Sequence, residues 1–313
     1  MSHPTDTPGA IAPPQCRIRR EADGALVAAA PAKINLNLLV GPPGDDGYHP
    51  LDSIVAKISL HDTLELRPRS DGQVTLACTG CGCGPVEENL VMRAATLLAD
   101  GRDTPGADIA LHKAIPAGMG LGGGSSDAAA ALAALSELWQ LGLSDTDLHA
   151  LARRLGSDVP LFLGPACSRM TGRGERLAPM AVHPFFVALV LPHFSCSTAE
   201  VYRAYDHSPL PIGEQLDAAS ARGPRRDVLA AQPPSAWRDK LANDLAAPAR
   251  QTYPQLADLW DRLAACADVP IHLTGSGSGL FALFDTLADA QTFRSALPAD
   301  LRAMCVLAVA NPW

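Results

Sequence analysis

A run of glycines followed by two serines and an aspartate is the part of the chain best suited to chemistry. The stretch from Lys113 to Leu135 reads KAIPAGMGLGGGSSDAAAALAAL, so a glycine-rich loop leads into an alanine-rich segment of high helix propensity. Glycines allow positive φ and close backbone approach, and a helix N-terminus presents free N–H groups with partial positive charge. This combination predicts a phosphate-binding loop; a flexible linker is the alternative.

Two common nucleotide-binding loops do not match this stretch. A P-loop would close with Lys-Ser or Lys-Thr, and a Rossmann loop would be followed by an acidic strand end. The chain therefore uses a third phosphate-binding scheme. The residues predicted to hold the nucleotide phosphates are Pro116, Ala117, Gly118, Met119, Gly120, Leu121, Gly122, Gly123, Gly124, Ser125 and Ser126.

Two further polar positions suit phosphoryl transfer. In AKINLNLLV, Lys33 and Asn35 alternate with aliphatic residues, which places them on one face of a predicted strand. Asp158 stands in GSDVP, at a predicted helix-to-strand turn. Phosphoryl transfer needs a cation near the developing charge and a carboxylate near the acceptor hydroxyl, so Lys33 and Asp158 form a chemically sensible pair. The alternatives are a solvated strand face and an ordinary turn aspartate.

Four motifs in order resemble those of the GHMP kinases, the family of galactokinase, homoserine kinase and mevalonate kinase. They are PAKINL, DGYH, GLGGGSSDA with GSDVP, and LTGSGSG, and the resemblance covers about residues 28 to 310. It implies an ATP- and Mg²⁺-dependent kinase in which Lys33 and Asp158 are catalytic. DGYH further implies phosphorylation of the 2-hydroxyl of 4-diphosphocytidyl-2-C-methyl-D-erythritol, in the non-mevalonate route to isoprenoids.

The same resemblance implies which residues bind this substrate. Tyr48 and His49 of DGYH match the pair that faces the cytosine, and Tyr202 is the candidate for a second aromatic beside it. The metal ligands are not identified. The implied substrate-binding set is Asn35, Tyr48, His49, Thr198, Tyr202, Gly275, Ser276 and Gly277.

The fold implied by the resemblance is α+β, with two domains and the active site in the cleft between them. The first is a ribosomal protein S5 domain 2-like α/β domain, expected at residues 23–180 after a disordered tail at 1–22. The second is a ferredoxin-like α+β domain at residues 181–301. A final strand near residues 302–311 is a candidate to complete the first domain.

Composition limits the classes of partner. The 313 residues are 47% hydrophobic, enough for two cores, and the net charge of −8 argues against a nucleic-acid partner. No apolar run approaches the roughly 20 residues of a membrane span, so a cytoplasmic location without a membrane partner is expected. The expected partner is a small molecule carrying a cytidine diphosphate group, bound by a monomer or weak homodimer.

Two other functions and one cysteine cluster stay open. Another GHMP small-molecule kinase, of homoserine or mevalonate type, would share the glycine-rich loop but gives no reason for Tyr48-His49. A catalytically silent nucleotide-binding regulator would need neither Lys33 nor Asp158. The cluster of Cys78, Cys81 and Cys83 is interpreted as reduced thiols in a surface loop, with a metal-binding knuckle as the alternative.

Overall fold

Two β-sheets form the framework of the protein. The computed structural model describes residues 18–45, 47–207, 223–266 and 268–310. The first sheet has the order β1-β2-β3-β5-β4, and β6 extends it by pairing with β3 and with β7. Its strands are β1 (Ile18–Arg20), β2 (Leu26–Val40), β3 (Leu51–Pro68), β4 (Val74–Gly80), β5 (Ala107–Lys113), β6 (Cys167–Gly172) and β7 (Arg176–Pro179).

Four helices cover one face of this sheet. They are α1 (Leu90–Ala99), α2 (Gly123–Leu138), α3 (Asp145–Leu155) and α4 (Val159–Leu163), and a 3-10 turn precedes α1 at Val86–Glu88. Ser144 and Asp147 form a capping box at the start of α3, because each side chain accepts a hydrogen bond from the other residue's N–H. The alanine-rich α2 is buried along most of its length, since small side chains let it lie close to the sheet.

The second sheet is antiparallel, with the order β11-β8-β10-β9. Its strands are β8 (Phe186–Val190), β9 (His272–Leu273), β10 (Leu280–Phe284) and β11 (Cys305–Val309). The helices of this half are α5 (Thr198–Asp206), α6 (Arg226–Ala231), α7 (Ala246–Thr252), α8 (Pro254–Ala264), α9 (Leu287–Ala296) and α10 (Ala299–Ala303), with 3-10 turns at Pro234–Ala236 and Arg238–Lys240. None of the helices within the described ranges is long and apolar enough to cross a bilayer.

One hydrophobic core joins the two sheets. Ile34 of β2 and Ile58 of β3 share a buried cluster with Val187 of β8 and Phe281 of β10. The second sheet therefore packs on the face of the first sheet that the helices leave open. This shared core fixes the polar side chains of β2 relative to the loops of the second half, which is what a site between the two sheets requires.

Several local predictions are corrected here. Residues 18–20 of the predicted disordered tail pair with β2 as β1. The final strand β11 belongs to the second sheet rather than completing the first, although a bridge between Ile58 and Ala310 links its end to β3. Asp158 lies at the N-cap of α4, between two helices, because Pro160 is compatible with the first turn of a helix.

The cysteine cluster also differs from its interpretation as reduced thiols. Cys78, near the end of β4, and Cys83 are joined by a disulfide, with Cα atoms 5.9 Å apart. Cys81 between them is a free, exposed thiol. In the part of the chain that the structure describes, no group of three or more histidine, cysteine or acidic side chains is arranged to hold a metal ion. The turn after β4 brings the two sulfur atoms together, which the spacing alone did not reveal.

Candidate active site

The glycine-rich loop connects β5 to α2 and borders a cavity. Gly118, Gly120 and Gly122 adopt φ of +72°, +70° and +71°, a region that side-chain-bearing residues rarely occupy. The cavity has a volume of about 420 Å³ and is lined by the predicted loop residues 116–125, together with Asn89 and Leu90 at the start of α1. Ser126, also predicted to bind phosphate, is buried in the first turn of α2, and its role stays a prediction.

The loop leans on the second glycine-rich segment, LTGSGSG. The N–H groups of Ser278 and Gly279 each donate 3.3 Å hydrogen bonds, to the carbonyls of Gly118 and Met119 respectively. A Cβ atom at Gly120 would lie 2.1 Å from the carbonyl oxygen of Thr274, so only glycine fits there. The glycine-rich loop therefore owes its shape to residues about 150 positions further along the chain.

Lys33 projects from β2 beside this loop. Its N–H donates to the carbonyl of Leu121 at 3.0 Å, and its buried Nζ lies 2.6 Å from Oδ1 of Asn35. The amide of Asn35 in turn donates to Oγ of Ser53 at 2.8 Å. Burial lowers the pKa of Lys33, and the negative charge of Asp158 opposes that shift. Lys33 and Asn35 thus form one fixed, buried polar unit.

Asp158 belongs to the same site. Its charge acts on Lys33 and on Tyr202, and a Cβ atom at Gly174 would lie 3.8 Å from its Oδ1. Burial, followed by the charge of Asp158, raises the pKa of Tyr202 to about 12. The two predicted catalytic residues and the predicted aromatic residue are therefore electrostatic neighbours, although they are far apart in sequence.

His49 is packed within an aromatic cluster next to these groups. Its ring centroid lies 5.4 Å from that of Tyr202 and 5.6 Å from that of Tyr205. Its Nδ1 contacts the carbonyl of Gly41 at 2.8 Å, and its Nε2 lies 3.1 Å from the carboxylate of Asp206. Both ring nitrogens therefore face oxygen acceptors, and the sequence analysis did not identify Asp206 as the partner of Nε2.

Tyr48 is the exposed member of the predicted pair. Its side chain is 61% exposed, and the guanidinium of Arg173 stands over the ring at 4.5 Å from the centroid.

The second half of the chain contributes further predicted residues. The hydroxyls of Thr198 and Ser276 lie 2.8 Å apart. A Cβ atom at Gly275 would lie 3.6 Å from Nζ of Lys33. Gly275 of LTGSGSG thus lies beside Lys33, whereas the observed contact of Ser276 is with Thr198. The adjoining Gly277 packs toward Cys196 and Leu273.

The sequence analysis missed a buried ion cluster next to the cavity that the glycine-rich loop borders. Nζ of Lys113 lies 2.6 Å from a carboxylate oxygen of Asp62 and 2.6 Å from one of Asp127. Burial raises the pKa of Asp127 to about 7, with Lys113 opposing and Asp62 adding to the shift. The sequence could have indicated Lys113 and Asp127, because both are charged residues that flank the glycines. Nothing in the residues around Asp62 indicates its part in the cluster.

Comparison with known proteins agrees with this geometry. The model for the GHMP kinases N terminal domain matches residues 89–164, and that for the GHMP kinases C terminal domain matches residues 229–303. A 4-diphosphocytidyl-2-C-methyl-D-erythritol kinase of Pelotomaculum thermopropionicum is 41% identical, with the alignment covering 85% of this chain and 91% of the relative. The chain belongs to the GHMP kinase family. The predicted two-domain α+β fold of that family is thereby confirmed.

Three further comparisons show how specific the likeness is. A Methylorubrum extorquens protein of the same name is 40% identical over 87% of this chain and 94% of its own length. The crystal structure of a 4-(cytidine 5'-diphospho)-2C-methyl-D-erythritol kinase superposes with a TM-score of 0.74 at 36% identity, covering 91% of this chain and 99% of that one. An L. major mevalonate kinase reaches a TM-score of 0.67 at 17% identity, covering 96% of this chain and 99% of its own, which shows a shared fold.

Membership of the family makes this chain a kinase, and ATP is the phosphate donor of GHMP kinases. The cavity beside the glycine-rich loop is the part of this GHMP kinase that suits the ATP phosphates, because its wall consists of backbone at the start of a helix.

Proposed function

We propose that this GHMP kinase transfers the γ-phosphate of ATP to the 2-hydroxyl of 4-diphosphocytidyl-2-C-methyl-D-erythritol, giving the 2-phosphate and ADP in the non-mevalonate isoprenoid pathway. The observation that carries the proposal is the similarity to a relative named for this substrate. The two sequences are 41% identical in an alignment that covers 91% of the relative. Homoserine and mevalonate kinases of similar fold are 16% and 17% identical. The exposed Tyr48 and the His49–Tyr202 cluster beside Asp158 also suit a flat base.

The chemistry follows from the two charged residues of the site. Asp158 accepts the proton of the attacking hydroxyl, and the Lys33 ammonium stabilises negative charge on the phosphoryl group in transfer. Asn35 holds Nζ of Lys33 in place. The backbone of the glycine-rich loop receives the remaining phosphates. Tyr48, His49 and Tyr202 hold the cytosine, and Thr198 with residues 275–277 encloses the substrate from the second half.

Mg²⁺ fits the helix end of the glycine-rich loop. Oγ of Ser126 and Oδ1 of Asp127 are buried there without a hydrogen-bond partner among the described residues. Mg²⁺ is usually held by one or two protein oxygens together with nucleotide phosphates and water, so a larger acidic cluster is not needed. We propose that these two oxygens hold it. The ion would supply charge neutralisation on the phosphates.

The partners, location and oligomeric state of the protein are also part of the proposal. The ligands are small molecules, and the net charge of −8 gives no electrostatic basis for binding nucleic acid. A cytoplasmic monomer or weak homodimer remains our proposal, since ATP is supplied in the cytoplasm.

A coupled ADP-release assay with Mg²⁺ and ATP tests the proposal. We would compare 4-diphosphocytidyl-2-C-methyl-D-erythritol, homoserine and mevalonate as acceptors, using the wild type, Asp158→Asn and the control Asp145→Asn, which changes an exposed carboxylate on α3. We expect ADP release only with the cytidyl substrate, lower by about 10²- to 10⁴-fold in Asp158→Asn and unchanged in Asp145→Asn. Release with another alcohol would overturn the substrate assignment. Unchanged turnover in Asp158→Asn would remove that residue from catalysis.

A further inference from the structure

The ion cluster of Asp62, Lys113 and Asp127 connects three separate elements below the ATP cavity. Asp62 lies within β3, Lys113 ends β5, and Asp127 lies in the first turns of α2. All three are buried, and the side chain of Asp62 has no exposed surface. The cluster therefore spans the two ends of the glycine-rich loop, which leaves β5 at Lys113 and enters α2 at Gly123.

Asp62 makes the contacts that reach the loop backbone. Its Oδ1 accepts hydrogen bonds from the N–H groups of Ala114 at 2.6 Å and Ile115 at 2.8 Å, the first two residues after β5. Its Oδ2 contacts Nζ of Lys113 at 2.6 Å. A Cβ atom at Gly123 would lie 3.5 Å from the same Oδ2. One carboxylate thus holds the start of the loop directly and its end through Lys113 and Asp127.

Stability alone is a weak explanation for this arrangement. Removing two carboxylates and an ammonium from water costs several kcal/mol for each ion, and well-packed apolar residues are often as stable in such positions. A carboxylate with two backbone N–H donors and one ammonium fixes direction as well as distance. That property is useful where a loop must present its own N–H groups to phosphates in one conformation.

We propose that Asp62 is a positioning residue that fixes the glycine-rich loop in its ATP-binding conformation. It does not contact the reacting atoms; it acts through Ala114, Ile115 and Lys113. The proposal rests on ATP as the nucleotide and not on the identity of the acceptor. An error in the acceptor would leave ATP binding and its dependence on Asp62 intact, so the two failures are distinguishable.

Direct ATP binding, measured by calorimetry with Mg²⁺ and again with EDTA, separates loop position from metal binding. The variants are Asp62→Ala, Asp62→Asn and the control Glu65→Ala, which removes a half-exposed carboxylate of β3 that pairs with Arg67. Asp62→Asn keeps an oxygen for the two N–H donors and loses the charge. We expect the Kd for ATP to rise about tenfold or more in Asp62→Ala, with a smaller rise in Asp62→Asn, both with and without Mg²⁺. Glu65→Ala should bind like wild type.

Steady-state kinetics give the second readout. A positioning role predicts a raised KM for ATP with the KM for the acceptor unchanged, whereas a merely structural role lowers the thermal midpoint and the active fraction without that split. Folded Asp62→Ala protein that binds ATP like wild type would overturn the proposal. If Asp62→Ala yields no folded protein, Asp62→Asn decides, since wild-type ATP affinity in that variant contradicts the role of the charge.

Discussion

Nζ of Lys33 and Oδ1 of Asn35 are 2.6 Å apart on the same face of β2, and both side chains are buried. A β-bulge between Asn35 and Asn37 shifts the register with β3 just after this pair. Oδ1 of Asn35 also accepts a hydrogen bond, at 3.4 Å, from the hydroxyl of Thr274 in the second half. The position of the ammonium is therefore set by both halves of the protein.

Replacing Lys33 by methionine should separate stability from activity. Because burial lowers the pKa of Lys33, the charged side chain destabilises the folded state. We expect turnover to fall by about 10³-fold or more, while the thermal midpoint stays equal or rises. The gain in stability of Lys33→Met over the wild type should be full below the folded-state pKa of Lys33. It should shrink as the pH rises toward the unfolded-state pKa of that lysine, near 10.4.

Lys57→Met is the matched comparison for that experiment. Lys57 is also buried, but its ammonium donates to the carbonyls of Phe162 at 3.0 Å and Gly164 at 2.7 Å. Its removal leaves those carbonyls without this donor, so the thermal midpoint should fall. Denaturation curves of both variants at several pH values provide the measurement. A lower midpoint in Lys33→Met at every pH would contradict the prediction.

Gly120→Ala should damage the proposed ATP site through contact with the second half. The new Cβ would lie 2.1 Å from the carbonyl oxygen of Thr274, so the two loops must separate. Gly142→Ala is the control, because Gly142 also has a positive φ, of +63°, but has no heavy atom within 4 Å of the added Cβ. Gly142→Ala should lower the free energy of unfolding by only the strain of the left-handed backbone, about 1–2 kcal/mol. Equal losses of ATP affinity in both variants would show that backbone strain, and not the contact, is responsible.

His49→Ala should weaken binding of the cytidyl substrate and leave ATP binding unchanged. The ring supports Tyr202 on one side and is held by Gly41 and Asp206 on the other, so its removal releases the aromatic cluster. We expect the KM for the acceptor to rise about tenfold or more, with His149→Ala, on α3, as the control. An effect confined to the Kd for ATP would contradict this role.

Reduction of the Cys78–Cys83 disulfide should loosen one wall of the proposed ATP cavity. The disulfide closes the turn that contains Gly82, and Gly82 and Gly84 both line the cavity. A dithiol such as dithiothreitol converts the disulfide to two thiols and is itself oxidised to a cyclic disulfide. We expect a raised Kd for ATP after reduction, and the same rise without reductant in Cys83→Ser. If Cys83→Ser still responds to reductant, another thiol is responsible.

Local sequence accounted for much of this site. The glycine-rich loop and the strand β2 depend on neighbouring residues, so residue types and spacing predicted them. The division of the chain near residue 180 stays a prediction, and so do the catalytic and binding roles of all the predicted site residues.

The features that sequence reasoning missed depend on contacts across long separations. Asp62 lies 51 residues from Lys113, and Thr274 lies 239 residues from Asn35. No periodicity or spacing joins such pairs, and only the folded chain brings them into contact. The short helix α4 was missed for another reason, since GSDVP is equally compatible with a turn.

The close approach of Gly120 to the Thr274 carbonyl limits how the two halves of related kinases can be recombined. Each half carries a loop whose shape is complete only against the other, so a gene fusion that joins the first half of one relative to the second half of another must match both loops together. Exchange of single halves by recombination is therefore restricted, and viable chimeras should place their crossover points so that both glycine-rich loops come from the same parent.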